Sequence, residues 1–138
     1  VERLVPVIEG RNCRFSLSWE ERFLSSRAHA LSASIDIYEC RAPWIGSSEA
    51  LRKFALDFAE KLGLEPRGEW RVNPSEAGFF AWVLPLKDGG LSGRIDLARK
   101  AAYLDLFVAG FFDPRKAAEF ATFELGGNYY RMQPHVRQ

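Results

Sequence analysis

The sequence predicts an α+β protein: a two-layer sandwich whose mainly antiparallel sheet of four to six strands carries helices on one face. Three observations point there. Residues 49–62 repeat apolar side chains at the helical period. Residues 102–109 alternate at the strand period and lead through Gly110 into a second helix start at Asp113-Pro114. Between the two helices several strand-like segments follow one another, which suits a sheet with its helices gathered on one side.

Taken in order, residues 4–8 and 14–17 are short extended candidates separated by Glu9-Gly10-Arg11-Asn12, and they predict a hairpin. Ser18 followed by Glu21 matches a capping box and starts a short helix over 19–26. Trp19 and Phe23 share one face of it, by which an N-terminal arm, 1–28, docks onto a core spanning 29–133. In the strand 33–40, Ala33, Ile35 and Ile37 face one way, and Ser34, Asp36 and Tyr38 the other. A loop follows with Pro43, Gly46 and an indole, Trp44, at its tip. Ser47 or Ser48 caps the helix 49–62, whose stripe is Leu51, Phe54, Ala55, Phe58 and Leu62, and Gly63 stops it.

Residues 69–73 and 78–86 form a hairpin around Pro74-Ser75-Glu76-Ala77. The second strand is apolar on both faces, Phe80, Trp82 and Leu84 against Phe79, Ala81 and Val83, which predicts a central strand covered on both sides. Asp88-Gly89-Gly90 is a turn, and 94–99 a strand with Ile95 and Leu97 inward and Arg94 and Asp96 outward. In 102–109 an aliphatic stripe, Leu104, Leu106 and Val108, opposes Tyr103, Asp105 and Phe107. The helix from Asp113-Pro114 ends at Gly126. Residues 129–133 are a last strand and 134–138 a frayed tail, all within a single domain, 1–138.

Composition narrows the function classes. A chain of 138 residues, 47% apolar and 27% charged, buries a core without metals or disulfides. No apolar run reaches membrane-spanning length, and no basic-then-apolar leader opens the chain, so an intracellular, cytoplasmic protein is expected. Cys13 and Cys40 lack any metal or redox spacing and predict two reduced thiols. Arginine outnumbers lysine, and Asn, Gln, Met and Cys are scarce, a bias reported in some thermophile families. His29 and His135 sit apart in no catalytic or ligand motif, so neither a metal site, a bound cofactor nor a triad is expected. The glycines at 89, 90 and 93 lack the phosphate-loop pattern and lead into a strand. Asp36, Asp96 and Asp105 suit cross-strand pairing with Arg71, Arg94 or Arg99.

With no catalytic residue found, binding is the expected activity. The non-aliphatic stripes bring together Tyr38, Arg71, Phe79, Arg94, Arg99, Tyr103, Phe107, Tyr129 and Arg131, with Trp44 beside them. An open face of rings and guanidiniums suits single-stranded DNA or RNA, where bases stack and arginines meet phosphates with little sequence preference. The alternative is that the same face lies under another subunit of a homo-oligomer. Gly78-Phe79-Phe80-Ala81-Trp82-Val83 is loosely similar to the aromatic strand of RNA-recognition motifs without their preceding basic residue. In general character the chain also resembles the non-canonical single-stranded-DNA-binding domains of hyperthermophilic archaea, the ThermoDBP group.

A second resemblance rests on motifs. Asp105 to Phe107, Gly110 and Asp113-Pro114-Arg115-Lys116-Ala117 resemble the pyruvoyl-dependent S-adenosylmethionine decarboxylases, in which an Asp-x-Phe-Thr-Cys-Gly strand enters a Pro-x-Lys-Ala helix. The strand from His29 to Tyr38-Glu39-Cys40 is similar to an earlier one of that family, and the likeness spans about 29–133. The resemblance implies a serine that self-cleaves and becomes the pyruvoyl group, followed by histidines, and a later acid cysteine. Counted back from Gly110, the serine position falls on Gly89 and the cysteine on Ala109. If Ser92 is taken instead, Gly93 replaces the histidine. The resemblance therefore implies the fold, or a catalytically dead relative that partners an active one.

Overall fold

The structure, a computed structural model, describes residues 18–41, 46–74 and 78–138. The expected hairpin over 4–8 and 14–17, and Cys13 and Trp44, lie outside the described residues. In chain order the elements are α1 (Trp19–Ser25), β1 (Ala30–Tyr38), α2 (Ser48–Lys61), β2 (Arg71–Pro74), β3 (Phe79–Leu86), β4 (Gly89–Asp96), β5 (Ala101–Val108), α3 (Pro114–Glu124) and β6 (Tyr129–Arg137). The six strands make one sheet, ordered β2-β3-β4-β5-β1-β6, with every neighbouring pair antiparallel. The expected α+β sandwich is thus the observed one.

Local chemistry explains the helices. Ser18 Oγ accepts from the Glu21 amide while Glu21 accepts from the Ser18 amide, closing the capping box of α1. Phe23 then packs its ring 5.7 Å from that of Phe111. Ser47 caps α2, and Leu51, Phe54, Ala55 and Phe58 turn its stripe inward. Asp113 Oδ1 accepts from the amides of Arg115 and Lys116, and Pro114 occupies the first turn of α3. The helix-side residues of the sheet, among them Leu31, Ile35, Ile37, Leu91, Ile95, Leu104 and Met132, are almost fully buried. Trp82 joins them, stacked on Trp70 and edge-on to Phe54. Its ring lies across Gly93, its partner on β4, where a Cβ would collide with the indole.

Four expectations need correction. β3 is not covered on both sides: Phe79 is 37% exposed and Val83 44%, because the helices occupy only the other face. The β3–β4 turn is Lys87-Asp88, and Gly89 and Gly90 already pair with Leu86 and Pro85, so β4 starts and ends earlier than 94–99. Asp96 does not point to solvent but is buried, accepting from the Arg99 amide at 3.1 Å in the turn that closes β4. The segment 134–138 does not fray. β6 pairs with β1 as far as Arg137↔Ala30, and an edge strand tolerates Pro134.

Candidate functional site

The face of the sheet away from the helices is open, and the register arranges its side chains in rows. One row runs Arg131, Asp36, Tyr103, Arg94, Ala81 and Asn73 from β6 to β2. Its neighbour runs Gln133, Ser34, Asp105, Ser92, Val83 and Arg71. Beyond the first row Tyr38 and Tyr129 stack with ring centroids 5.0 Å apart. Beyond the second, His135, Ser32, Phe107 and Gly90 are aligned. Eight of the ten residues singled out from the sequence, Tyr38, Arg71, Phe79, Arg94, Tyr103, Phe107, Tyr129 and Arg131, therefore share this face. Arg99 stands at its margin in the turn after β4, 3.7 Å from Asp96. The side-chain alternation was enough to place them, since each strand presents every second residue to the same side.

Two shallow grooves cross the face. One, of about 1120 Å³, is lined by Arg71, Phe79, Arg94, Tyr103 and Asp105. The other, of about 750 Å³, is lined by Ser34, Ser92, Phe107, His135 and Arg137. His135 and Arg137 lie beyond the last strand, 129–133, that the sequence predicts, in the segment expected to be a frayed tail. The signal was present, since Arg131, Gln133, His135 and Arg137 continue one alternation. Arg137 donates to Ser32 Oγ at 3.3 Å and stands over the Phe107 ring, 5.8 Å from its centroid.

The centre of the face is acidic. Ser34 Oγ donates to Asp105 Oδ1 at 3.2 Å, and Tyr38 Oη lies 3.5 Å from Asp36 Oδ2. Burial pushes the Asp36 carboxyl above its ordinary range, and the Asp105 charge adds to the rise, while the Tyr38 hydroxyl and Arg131 act against it. Tyr38 is raised as well, first by burial and then by Asp36. Carboxylates on the adjacent interior strands β5 and β1 stand where a phosphate chain crossing the sheet would pass. Among the described residues no three His, Cys, Asp or Glu side chains are grouped to hold a metal ion. Among the described residues no helix is long and apolar enough to cross a membrane.

Gly89 and Ala109 lie at one end of β4 and β5. Gly89 pairs with Val108, and a Cβ built on it would collide with the Phe107 carbonyl oxygen and come within 2.8 Å of that carbonyl carbon. A serine side chain does not fit at Gly89 on this intact backbone. Ser92 sits in mid-strand, opposite Val83 and Asp105, with Gly93 pressed beneath Trp82.

Comparisons with known proteins agree on one family. The sequence model of S-adenosylmethionine decarboxylase matches residues 31–138. The crystal structure of the adenosylmethionine decarboxylase from Aquifex aeolicus VF5 superposes with a TM-score of 0.68 at 19% identity, covering 80% of this chain and 91% of that one. Among curated proteins no sequence matches significantly. These findings overturn the reading as a single-stranded DNA- or RNA-binding protein, and with it the likeness to the ThermoDBP group. Rings and arginines on an open sheet face are generic, whereas a match over more than 100 successive residues is not. The chain belongs to the S-adenosylmethionine decarboxylase family.

Proposed function

We propose that this chain is a non-catalytic member of its family, which serves as a subunit in a larger assembly through its open sheet face. One observation carries the reading: the position expected to supply the pyruvoyl group is Gly89, and its Cβ direction is blocked by the Phe107 carbonyl. The missing group is thus not a side chain that one substitution could restore. Beside it, Gly90 and Ala109 lack the imidazole and thiol that the family resemblance implies, and Gly93 lacks the imidazole if Ser92 is taken as the serine instead. The subunit role draws support from Phe79, Val83 and Phe107, three large apolar side chains exposed on one sheet face. Cys40, a buried thiol raised to about 11 by burial, suits a protein of a reducing compartment such as the cytoplasm.

Intact-mass spectrometry of the purified chain tests the reading. A single unbroken 15.7 kDa polypeptide that releases no carbon dioxide from S-adenosylmethionine is expected. Cleavage between Asp88 and Ser92, or a pyruvoyl terminus, would sink it. The variant Gly89→Ser is expected to remain uncleaved and to lose stability, by about the 1–3 kcal/mol typical of overpacking.

A further inference from the structure

On the open face, β3 sets a small side chain between two large ones: Phe79 and Val83 are exposed on either side of Ala81. The register puts Arg94 of β4 and Asn73 of β2 directly beside Ala81, and Arg71 beside Val83. Ala81 is therefore the floor of a basin within the groove of about 1120 Å³ that these side chains line. Small-molecule sites are commonly of that order, about 300–1,000 Å³ with apolar walls and a few placed polar groups.

The carboxylates of this face are engaged with other partners. Asp96, beside Phe79, is buried in the turn after β4, where Oδ1 accepts from the Arg99 amide at 3.1 Å and Oδ2 lies 3.7 Å from Arg99 Nε. Asp105 stands one strand further on, beside Ser92, and accepts from Ser34 Oγ at 3.2 Å. Asp36 and Arg131 are opposite each other on β1 and β6, outside the basin. Arg71 and Arg94 are left. Both are exposed, and among the described residues neither takes part in an ion pair. Two strands and two residues separate them, roughly 12 Å between backbones. A group seated over Ala81 is within reach of both guanidiniums.

We propose that the basin over Ala81 binds a small organic phosphate, its phosphate between Arg71 and Arg94 and its apolar body along Phe79 and Val83. A guanidinium fork fits phosphate oxygens, and a doubly charged group with three free oxygens serves two forks where a carboxylate serves one. Asn73 adds an amide donor, and Phe79 a ring face for the body. Gly89 lies five residues further along β4 from Arg94, roughly 17 Å away. The proposal thus goes beyond the subunit reading and does not depend on it.

Titration of the full chain with phenyl phosphate, followed by amide NMR shifts, tests it. Saturable shifts centred on Asn73, Ala81 and Arg94 are expected, with inorganic phosphate binding more weakly for want of the ring. Benzoate should bind about tenfold or more weaker. So should S-adenosylmethionine, whose single carboxylate stands beside an ammonium and a sulfonium. Arg71→Gln and Arg94→Gln should each weaken phenyl phosphate by about tenfold or more, and Arg131→Gln should leave it unchanged.

Ala81→Leu fills the floor and should abolish binding. If circular dichroism shows that variant unfolded, the two arginine variants decide. Absence of saturation, benzoate or S-adenosylmethionine binding as tightly as phenyl phosphate, or an Arg94→Gln chain that binds as wild type overturns the proposal. Equal losses in Arg94→Gln and Arg131→Gln would mark general surface charge and overturn it too. Intact mass, which decides the non-catalytic reading, moves none of these outcomes.

Discussion

The two faces of the sheet are made by the same strands and differ in everything else. On β1, against which α3 packs, Ile35 and Ile37 are fully buried, while Ser34 and Asp36, one residue away, form the open side. The helix-covered face is aliphatic and closed, and it supplies the stability of the fold through hydrophobic burial and dispersion. The open face holds half-buried rings, guanidiniums and two neighbouring carboxylates, and it stabilises the single chain little. Nothing about strand formation demands that difference, because alternation serves either side equally. What the contrast teaches is that the covered face accounts for folding, while the open face contributes little to it.

Substitutions can break or sharpen that contrast. The largest loss is expected for Leu104→Ala on the covered side, about 2–5 kcal/mol in denaturant unfolding, since the residue is almost fully buried among aliphatic neighbours. A loss below about 1 kcal/mol would show that this face is loosely packed. Gly93→Ala, also on the covered side, drives a methyl group into the Trp82 ring and should cost about 1–3 kcal/mol. Its tryptophan fluorescence should change, because the Trp70–Trp82 stack must shift. Asp113→Ala removes the acceptor for two amides of α3 and should cost about 1 kcal/mol.

Effects on the open face are smaller. The Asp36 carboxyl is raised in the folded state above its ordinary 3.8, so its protonated form favours folding. That contribution is present below pH 3.8 and is lost as pH rises through the folded value. At neutral pH the ionised carboxylate therefore costs stability, and Asp36→Asn should stabilise the chain there. The gain should shrink to nothing in acid, and a pH-independent gain would show that ionisation is not its cause. Phe107→Ala should change the stability of the isolated chain least, by no more than about 0.5 kcal/mol, as expected of a half-exposed side chain. A loss of several kcal/mol would show that the open face also holds the monomer together.

Much of the covered face was legible along the chain. Leu51, Phe54, Ala55 and Phe58 follow the helical period, and Leu104, Leu106 and Val108 the strand period, so local geometry alone aligned them. The open-face residues were legible as a set for the same reason. Their use was not, because rings and arginines suit a polyanion and a protein partner alike. The arrangement of Asp36 beside Asp105 and Arg131 depends on β1 lying between β5 and β6. That insertion crosses about 70 residues in one direction and about 100 in the other, and no period in the sequence encodes it. Gly93 gave no signal either, since its need for a missing side chain comes from Trp82 across the hairpin.

By itself the sequence determined the periods, the caps at Ser18, at Ser47 or Ser48 and at Asp113, and which side chains share a face. These follow from backbone geometry within a few residues. Only the tertiary structure decided that Gly89 is closed against the Phe107 carbonyl, that β6 runs to Arg137, and that Arg94 and Arg71 stand on either side of β3. Each of those is a relation between strands distant in sequence, set by pairing order and register, which hydrogen bonding across the whole sheet selects.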